Sequence, residues 1–240
     1  MKVLISPISV EEALSVCEGG ADIIDIKNVQ EGSLGASFPW IIRDVVNALG
    51  GKPVTFSCTL GDLPFKPGTA ALAAAGAASN GARYIKAGLH GTRSYVEALA
   101  VMKAVQRTCR EFDPNIIVVA AGYADYRRFD GLSTEVLVNV ARDAGCDLVM
   151  VDTAFKDGKT LFDALSLQEI EDFVGQGHEA GLQVALAGSV RFEHLAELHR
   201  VKADVVGVRG CVCRANNRLS RIDAELVSQF VKACRLPAAA

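Results

Sequence analysis

Short runs of β-branched and apolar residues recur along the chain: VLIS at 3–6, DIIDIK at 22–27, VTFSCTL at 54–60 and RYIKAG at 83–88. Four more follow, NIIVVAAG at 115–122, CDLVMVD at 146–152, LQVALAG at 182–188 and ADVVGVRG at 203–210, so the pattern predicts eight strands. Between them the apolar positions adopt helical spacing, as in VEEALSVCEGG, SYVEALAVMKAVQRTCREF, STEVLVNVARDAGC, LQEIEDFVGQGHEAG and DAELVSQFVKACR. Several of these segments end on the glycine that favours a helix C-terminus. Alternation of strand and helix dictates parallel pairing through right-handed crossovers. Eight such units without a linker close most economically into a (β/α)8 TIM barrel, whereas a doubly wound sheet would use about five to seven strands. One catalytic domain over 1–240 is expected, with the LPAAA tail at 236–240 frayed.

The motifs GGAD, NGAR, AGCD and VKAD stand just before the second, fourth, sixth and eighth strands. They mark a repeated helix-to-strand turn on the face that stabilises a barrel, so the chemistry is expected at the opposite strand ends. A length of 240 residues, half of them hydrophobic and 22% charged, suits a single core. The net charge of −3 and scattered basic residues provide no field for nucleic acid. Lys2, Pro7, Glu11 and Glu12 interrupt any signal-peptide core, and apolar windows such as 70–78 are too short to span a membrane. Seven cysteines, odd in number and without a Cys-x-x-Cys pair, suit free thiols in a reducing cytoplasm.

Alternation along DIIDIK gives Asp25 and Lys27 the same parity, so both can face the barrel interior with Lys27 at the strand's C-terminal end. Tyr84 and Lys86 share parity in RYIKAG, and Lys86 again closes an apolar strand. A second lysine and desolvation would depress the pKa of the first, yielding the neutral amine that a Schiff base requires. The sixth strand ends at Asp152, and Lys156 lies close enough behind it to reach the mouth, while Asp157 and Lys159 read as a solvated turn.

AGSV at 187–190 and GVRG at 207–210 follow the seventh and eighth strands, where such barrels build phosphate cradles from exposed N–H groups and a helix dipole. Ala187, Gly188, Ser189 and Gly210 would supply the backbone, and Arg209 a bidentate donor. The segment at 28–40, with Phe38 and the only tryptophan, Trp40, reads equally as a lid or an oligomer contact. GDLPFKPGT at 61–69 reads as a stiff third loop whose Lys66 could meet a second phosphate. His90 can approach the mouth, but the four histidines form no HExxH pattern and Cys211 and Cys213 lack further ligands. No metal site and no organic cofactor are expected.

SPISVEEA, GGADIIDIKN, EGSLGASFPW, the GD and KPGT of the third loop, AAGYAD, ARDAGCD, DTAFKDGKTLFD, ALAGS and GVRG together resemble the (5-formylfuran-3-yl)methyl phosphate synthase family of methanofuran and methylofuran biosynthesis. The likeness spans nearly the whole chain; Val29, Gln30 and the YRRF after Asp125 depart from it without touching a proposed catalytic residue. It implies a lyase that condenses two glyceraldehyde 3-phosphate molecules to a furan aldehyde phosphate with loss of phosphate and water. It also implies a Schiff base on Lys27, with Asp25, Lys86, Asp152 and Lys156 as the other active-site groups. A triose phosphate and further copies of the chain are the expected partners, with no nucleic acid or membrane.

Two rival readings differ in class. DIIDIKNVQ also resembles the Asp-x-Lys-x-x-Asp signature of the orotidine-monophosphate decarboxylase group, but Gln30 stands where the second carboxylate belongs. A catalytically silent phosphate-binding partner subunit is the other; ionisable residues ending apolar strands argue against it, because unneeded buried charges are costly.

Overall fold

All eight expected strands form: β1 (Lys2–Ile5), β2 (Ile23–Ile26), β3 (Thr55–Pro64), β4 (Tyr84–Gly91), β5 (Ile117–Tyr123), β6 (Leu148–Asp152), β7 (Gln183–Leu186) and β8 (Val205–Val208). They pair in parallel in sequence order and close through β1–β8, where Lys2, Val3, Leu4 and Ile5 match Val205, Val206, Gly207 and Val208. This is a single-domain (β/α)8 barrel. The computed structural model describes residues 1–236, so all but Leu236 of the tail expected to fray lies outside the described residues.

The helices are α1 (Val10–Glu18), α2 (Pro39–Ala48), α3 (Pro67–Ser79), α4 (Tyr95–Phe112), α5 (Thr134–Asp143), α6 (Leu161–Ala164), α7 (Leu167–Glu179), α8 (Leu195–Arg200) and α9 (Ala224–Arg235). Ser9, Ser94, Ser133 and Ser166 cap α1, α4, α5 and α7 by accepting a backbone N–H that would otherwise lack a partner. The one-turn α6 was not legible as a separate element; a Thr160–Asp163 capping box starts it.

Strand parity sorts the core into two clusters. Ile24, Ile26, Cys58, Ile85 and Ala87 point outward against the helices. Leu4, Ile23, Tyr84, Val119, Leu148, Met150, Ala185 and Val205 fill the barrel's centre. That inner plug makes the floor on which the charged groups stand.

The turns repeated before alternate strands have a common physical basis. Asp22, Asp147 and Asp204 each accept, at 2.7–2.8 Å, a backbone N–H from the neighbouring preceding strand, of Val3, Val118 and Val184 respectively. Each carboxylate also meets a basic side chain, namely Arg235, Arg110 or His178. Before β4 the residue is Arg83, which pairs with Asp113 instead.

One expectation about the third loop is corrected. Residues Gly61–Pro64 continue β3 and pair with β4 through two register shifts, Asp62 matching Gly88 and Pro64 matching Gly91. The bulged pairing carries Asp62 to the barrel mouth and leaves Lys66 exposed at the start of α3.

Candidate active site

A cavity of about 570 Å3 opens at the C-terminal ends of the strands. Asp25, Lys27, Asp152 and Lys156 line one part of it, and Ala187, Gly188, Ser189, Arg209 and Gly210 another. Strand ends spread along the chain from Asp25 to Gly210 thus share one chamber. Lys86 lies deeper, among Ser57, Tyr84 and the inner apolar plug.

The lysines differ in what holds them. Lys86 is 1% exposed, and its Nζ forms an ion pair with Asp25 Oδ1 at 2.7 Å. Ser6 Oγ donates to the other Asp25 oxygen at 3.0 Å. Burial pushes the Asp25 carboxyl up, but Lys86 and then Lys27 outweigh it and hold the group below its ordinary value. Asp25 is therefore an anion whose nearest charge is already balanced.

Lys27 is 7% exposed and faces the cavity, where its Nζ donates to Ser33 O at 3.1 Å. Burial lowers its pKa to about 8; Asp152 and Asp25 pull it back up, while Lys86 and Lys156 push it down further. Of the two causes expected for this shift, like-charge repulsion and desolvation, desolvation is the larger.

Asp152 ends β6 with the inward parity of Leu148 and Met150. It accepts Lys156 Nζ at 2.6 Å and the Thr153 N–H at 2.7 Å. Burial raises this carboxyl, yet Lys156, Lys27 and the two hydrogen bonds bring it down to about 2. The loop bearing Lys156 is itself anchored, since buried Asp125 accepts the N–H groups of Ala154 and Phe155 at 2.7 and 3.1 Å. Asp157, by contrast, pairs with Arg128 at 2.8 Å on the outside, and Lys159 is exposed.

In the 187–190 turn, Gly188 has φ +113° and Ser189 φ +51°, and a Cβ on Gly188 would stand 2.9 Å from Thr153 Cγ2. Glycine is required there both for its left-handed backbone and for its size. The Ala187 N–H is taken by Val151 O, whereas those of Gly188 and Ser189 have no protein acceptor among the described residues. The expected helix dipole is small, because the chain continues as a 3-10 turn at Phe192–His194 and the six-residue α8.

The Arg209 guanidinium is largely occupied by protein. It donates to both Glu12 carboxylate oxygens at 2.7 and 3.2 Å, to Ser6 O at 2.7 Å and to Arg218 O at 2.9 Å. A cation that the sequence reading missed stands beside it. Arg218 is half-buried, lines the same cavity and has no carboxylate in ion-pair contact among the described residues. Burial depresses its pKa, and Asp152 opposes that. The 213–222 segment carries no periodic signal, so only the fold reveals that NNRLSR returns to the mouth.

The 28–40 segment has a buried part and an exposed part. Ser33 and Leu34 are buried in the mouth, where Ser33 O meets Lys27 and Thr59 Oγ1 donates to Gly35 O at 2.6 Å. Phe38 and Trp40 stack at 4.7 Å and stay about half exposed.

Buried amines and carboxylates gathered at the strand ends of a (β/α)8 barrel define an enzyme. The model of the 4-HFC-P synthase family matches residues 3–231, and the chain belongs to that family. It is 51% identical to a (5-formylfuran-3-yl)methyl phosphate synthase from Methanococcus maripaludis strain C7, covering 98% of this chain and 100% of that protein. Its counterpart of the same name from Methanobrevibacter smithii is 50% identical, with 98% and 99% covered. Among solved structures, 3-hexulose-6-phosphate synthase from Salmonella typhimurium superposes with a TM-score of 0.64 at 17% identity, covering 98% of this chain and 100% of that one, a likeness of fold alone. No described helix is long and apolar enough to cross a membrane.

Proposed function

We propose that this protein condenses two molecules of glyceraldehyde 3-phosphate to (5-formylfuran-3-yl)methyl phosphate, releasing phosphate and two waters, as a lyase of methanofuran biosynthesis. The observation that carries the reading is Lys27, a cavity-facing amine held near 8 between two carboxylates. Its neutral fraction attacks a triose carbonyl, and water leaves as the imine forms. Protonated, the imine draws electrons from the adjacent carbon, which turns one triose into a carbon nucleophile. Asp25, paired with Lys86 and bonded by Ser6, stays ionised below the iminium and stabilises its charge.

Asp152 and Lys156 serve the elimination steps: the carboxylate takes a carbon-bound proton, and the ammonium neutralises or protonates the departing oxygen. The phosphate kept in the product lies against the free N–H groups of Gly188 and Ser189 and the Gly210 turn. Arg218 supplies the charge-assisted contact, and Arg209 holds the turn in place. The names of the family and its relatives support this product.

Borohydride treatment in the presence of glyceraldehyde 3-phosphate tests the reading. A substrate-derived mass on the peptide containing Lys27 is expected. An adduct confined to Lys86 or Lys156 would assign the imine elsewhere.

A further inference from the structure

The cavity is lined from β1, β2, β6, β7 and β8 and the loops that follow them, and no residue of β3, β4 or β5 lines it. That arc carries its own group of titratable side chains. Asp62 near the end of β3 accepts the phenolic hydroxyl of Tyr123, which closes β5 and is buried. His90 near the end of β4 stands edge-on to Tyr123, ring centroids 5.5 Å apart, and stacks on Phe129 at 4.2 Å.

The backbone around Asp62 is shaped to admit a carboxylate. A Cβ on Gly88 would lie 2.5 Å from Asp62 Oδ1, and one on Gly32 would lie 2.7 Å from Oδ2. Two glycines on separate elements therefore clear space for one side chain. Among the described residues no lysine or arginine forms an ion pair with it, unlike Asp25 and Asp152. A half-buried carboxylate without a cation is a costly feature in a fold, and such groups cluster where proton transfer is needed.

The chemistry calls for one. Forming the furan removes a phosphate and a water-forming hydroxyl after condensation, and the Asp152–Lys156 pair stands on β6, beside the first triose at Lys27. Resting on the condensation reading above, we propose that Asp62 is a further catalytic base, acting on the second triose's carbons, and that Tyr123 is the residue that positions it. In this step the Asp62 carboxylate takes a proton from a carbon of the six-carbon imine. The C–H pair becomes the new C=C bond, the adjacent C–O bond breaks, and the oxygen leaves as water with a proton from the Lys156 ammonium.

The electrostatics agree with a base. Burial raises the Asp62 carboxyl above its ordinary value; Asp152 adds to this, while His90, the Leu34 amide and Lys27 oppose it. The groups facing Asp62 are thus His90 from β4, Tyr123 from β5, Asp152 from β6 and Lys27 from β2. A more basic carboxylate, oriented by a phenol, suits abstraction of a weakly acidic proton.

The test compares D62N and Y123F with the wild-type enzyme by two readouts: the ultraviolet absorbance of the conjugated furan aldehyde, and the mass trapped on Lys27 by borohydride. In D62N the furan signal should form about 100-fold more slowly, the scale of a lost general base, while a six-carbon adduct accumulates on Lys27. Y123F removes a hydrogen bond to the carboxylate, so the pH below which furan formation fails should move upward. A D62N enzyme that makes furan at the wild-type rate, or traps only a three-carbon adduct, overturns the assignment. So does an unmoved pH limb in Y123F, which keeps every carboxylate and decides the matter should D62N unfold. Absence of any Lys27 adduct in the wild type would instead refute the imine, and the furan kinetics of the two variants would still judge Asp62.

Discussion

Lys86 Nζ lies 2.7 Å from Asp25 Oδ1 with both side chains closed to solvent, and both charges act on the amine of Lys27. Of the two lysines the strands place inward, one is thereby committed to a carboxylate and the other is left for a carbonyl. Removing Lys86 strands the Asp25 charge in the barrel's centre. Lys86→Met should lose about 3–5 kcal/mol of stability, and Lys86→Met combined with Asp25→Asn should lose less than the single change. Denaturant unfolding of the three variants measures this.

The Lys27 ammonium has a lower pKa in the folded protein, about 8 against the ordinary 10.5. The unfolded chain accordingly binds more protons between those values, and stability should rise with pH across that window. Wild type should gain on Lys27→Met as the pH goes from about 7 to about 10, because the variant has no such group. The rate of borohydride trapping should climb through the same midpoint as the free amine appears. A flat trapping profile would contradict the depressed pKa.

Asp152→Asn and Lys156→Ala should each slow phosphate release about 100-fold while leaving the Lys27 adduct intact. Both side chains touch one another and neither contacts Lys27 directly by a hydrogen bond. Quenched-flow phosphate measurements beside peptide mass analysis separate the two effects. Loss of the adduct in a folded variant would move these residues into imine formation.

The two arginines of the cavity should part company. Arg209→Ala leaves Glu12 buried without its cation and should cost about 3–5 kcal/mol of stability. Arg218→Ala breaks no ion pair among the described residues; it should raise KM about tenfold or more, with little change in melting temperature. Equal KM for Arg218→Ala and wild type would place the phosphate elsewhere.

Period-2 alternation suffices to place Asp25, Lys27 and Lys86 inside, because parity is a local property that barrel closure preserves, and the end of an apolar run places Asp152 at the mouth. Strand count and order were legible for the same reason. The sequence alone reads Asp62 as part of a loop, since the register shifts that extend β3 depend on its pairing with β4 and leave no mark in the chain itself. Arg209 illustrates the opposite limit: its position after β8 was right, but Glu12, nearly two hundred residues earlier, engages its guanidinium. Arg218 and the Ser33 carbonyl sit on irregular backbone, where sequence gives composition and not direction.

Asp22, Asp147 and Asp204 secure the barrel at the strand beginnings, each through a carboxylate bound to its neighbour's N–H, at the end remote from Lys27. Evolutionary change is thereby partitioned. Loops over the mouth can lengthen, shorten or exchange side chains while the seams at the far end keep their stitching, and selection on substrate preference need not trade against selection for folding. A lineage could remodel the 28–40 or 187–190 turns by successive small steps without first having to acquire a more stable barrel.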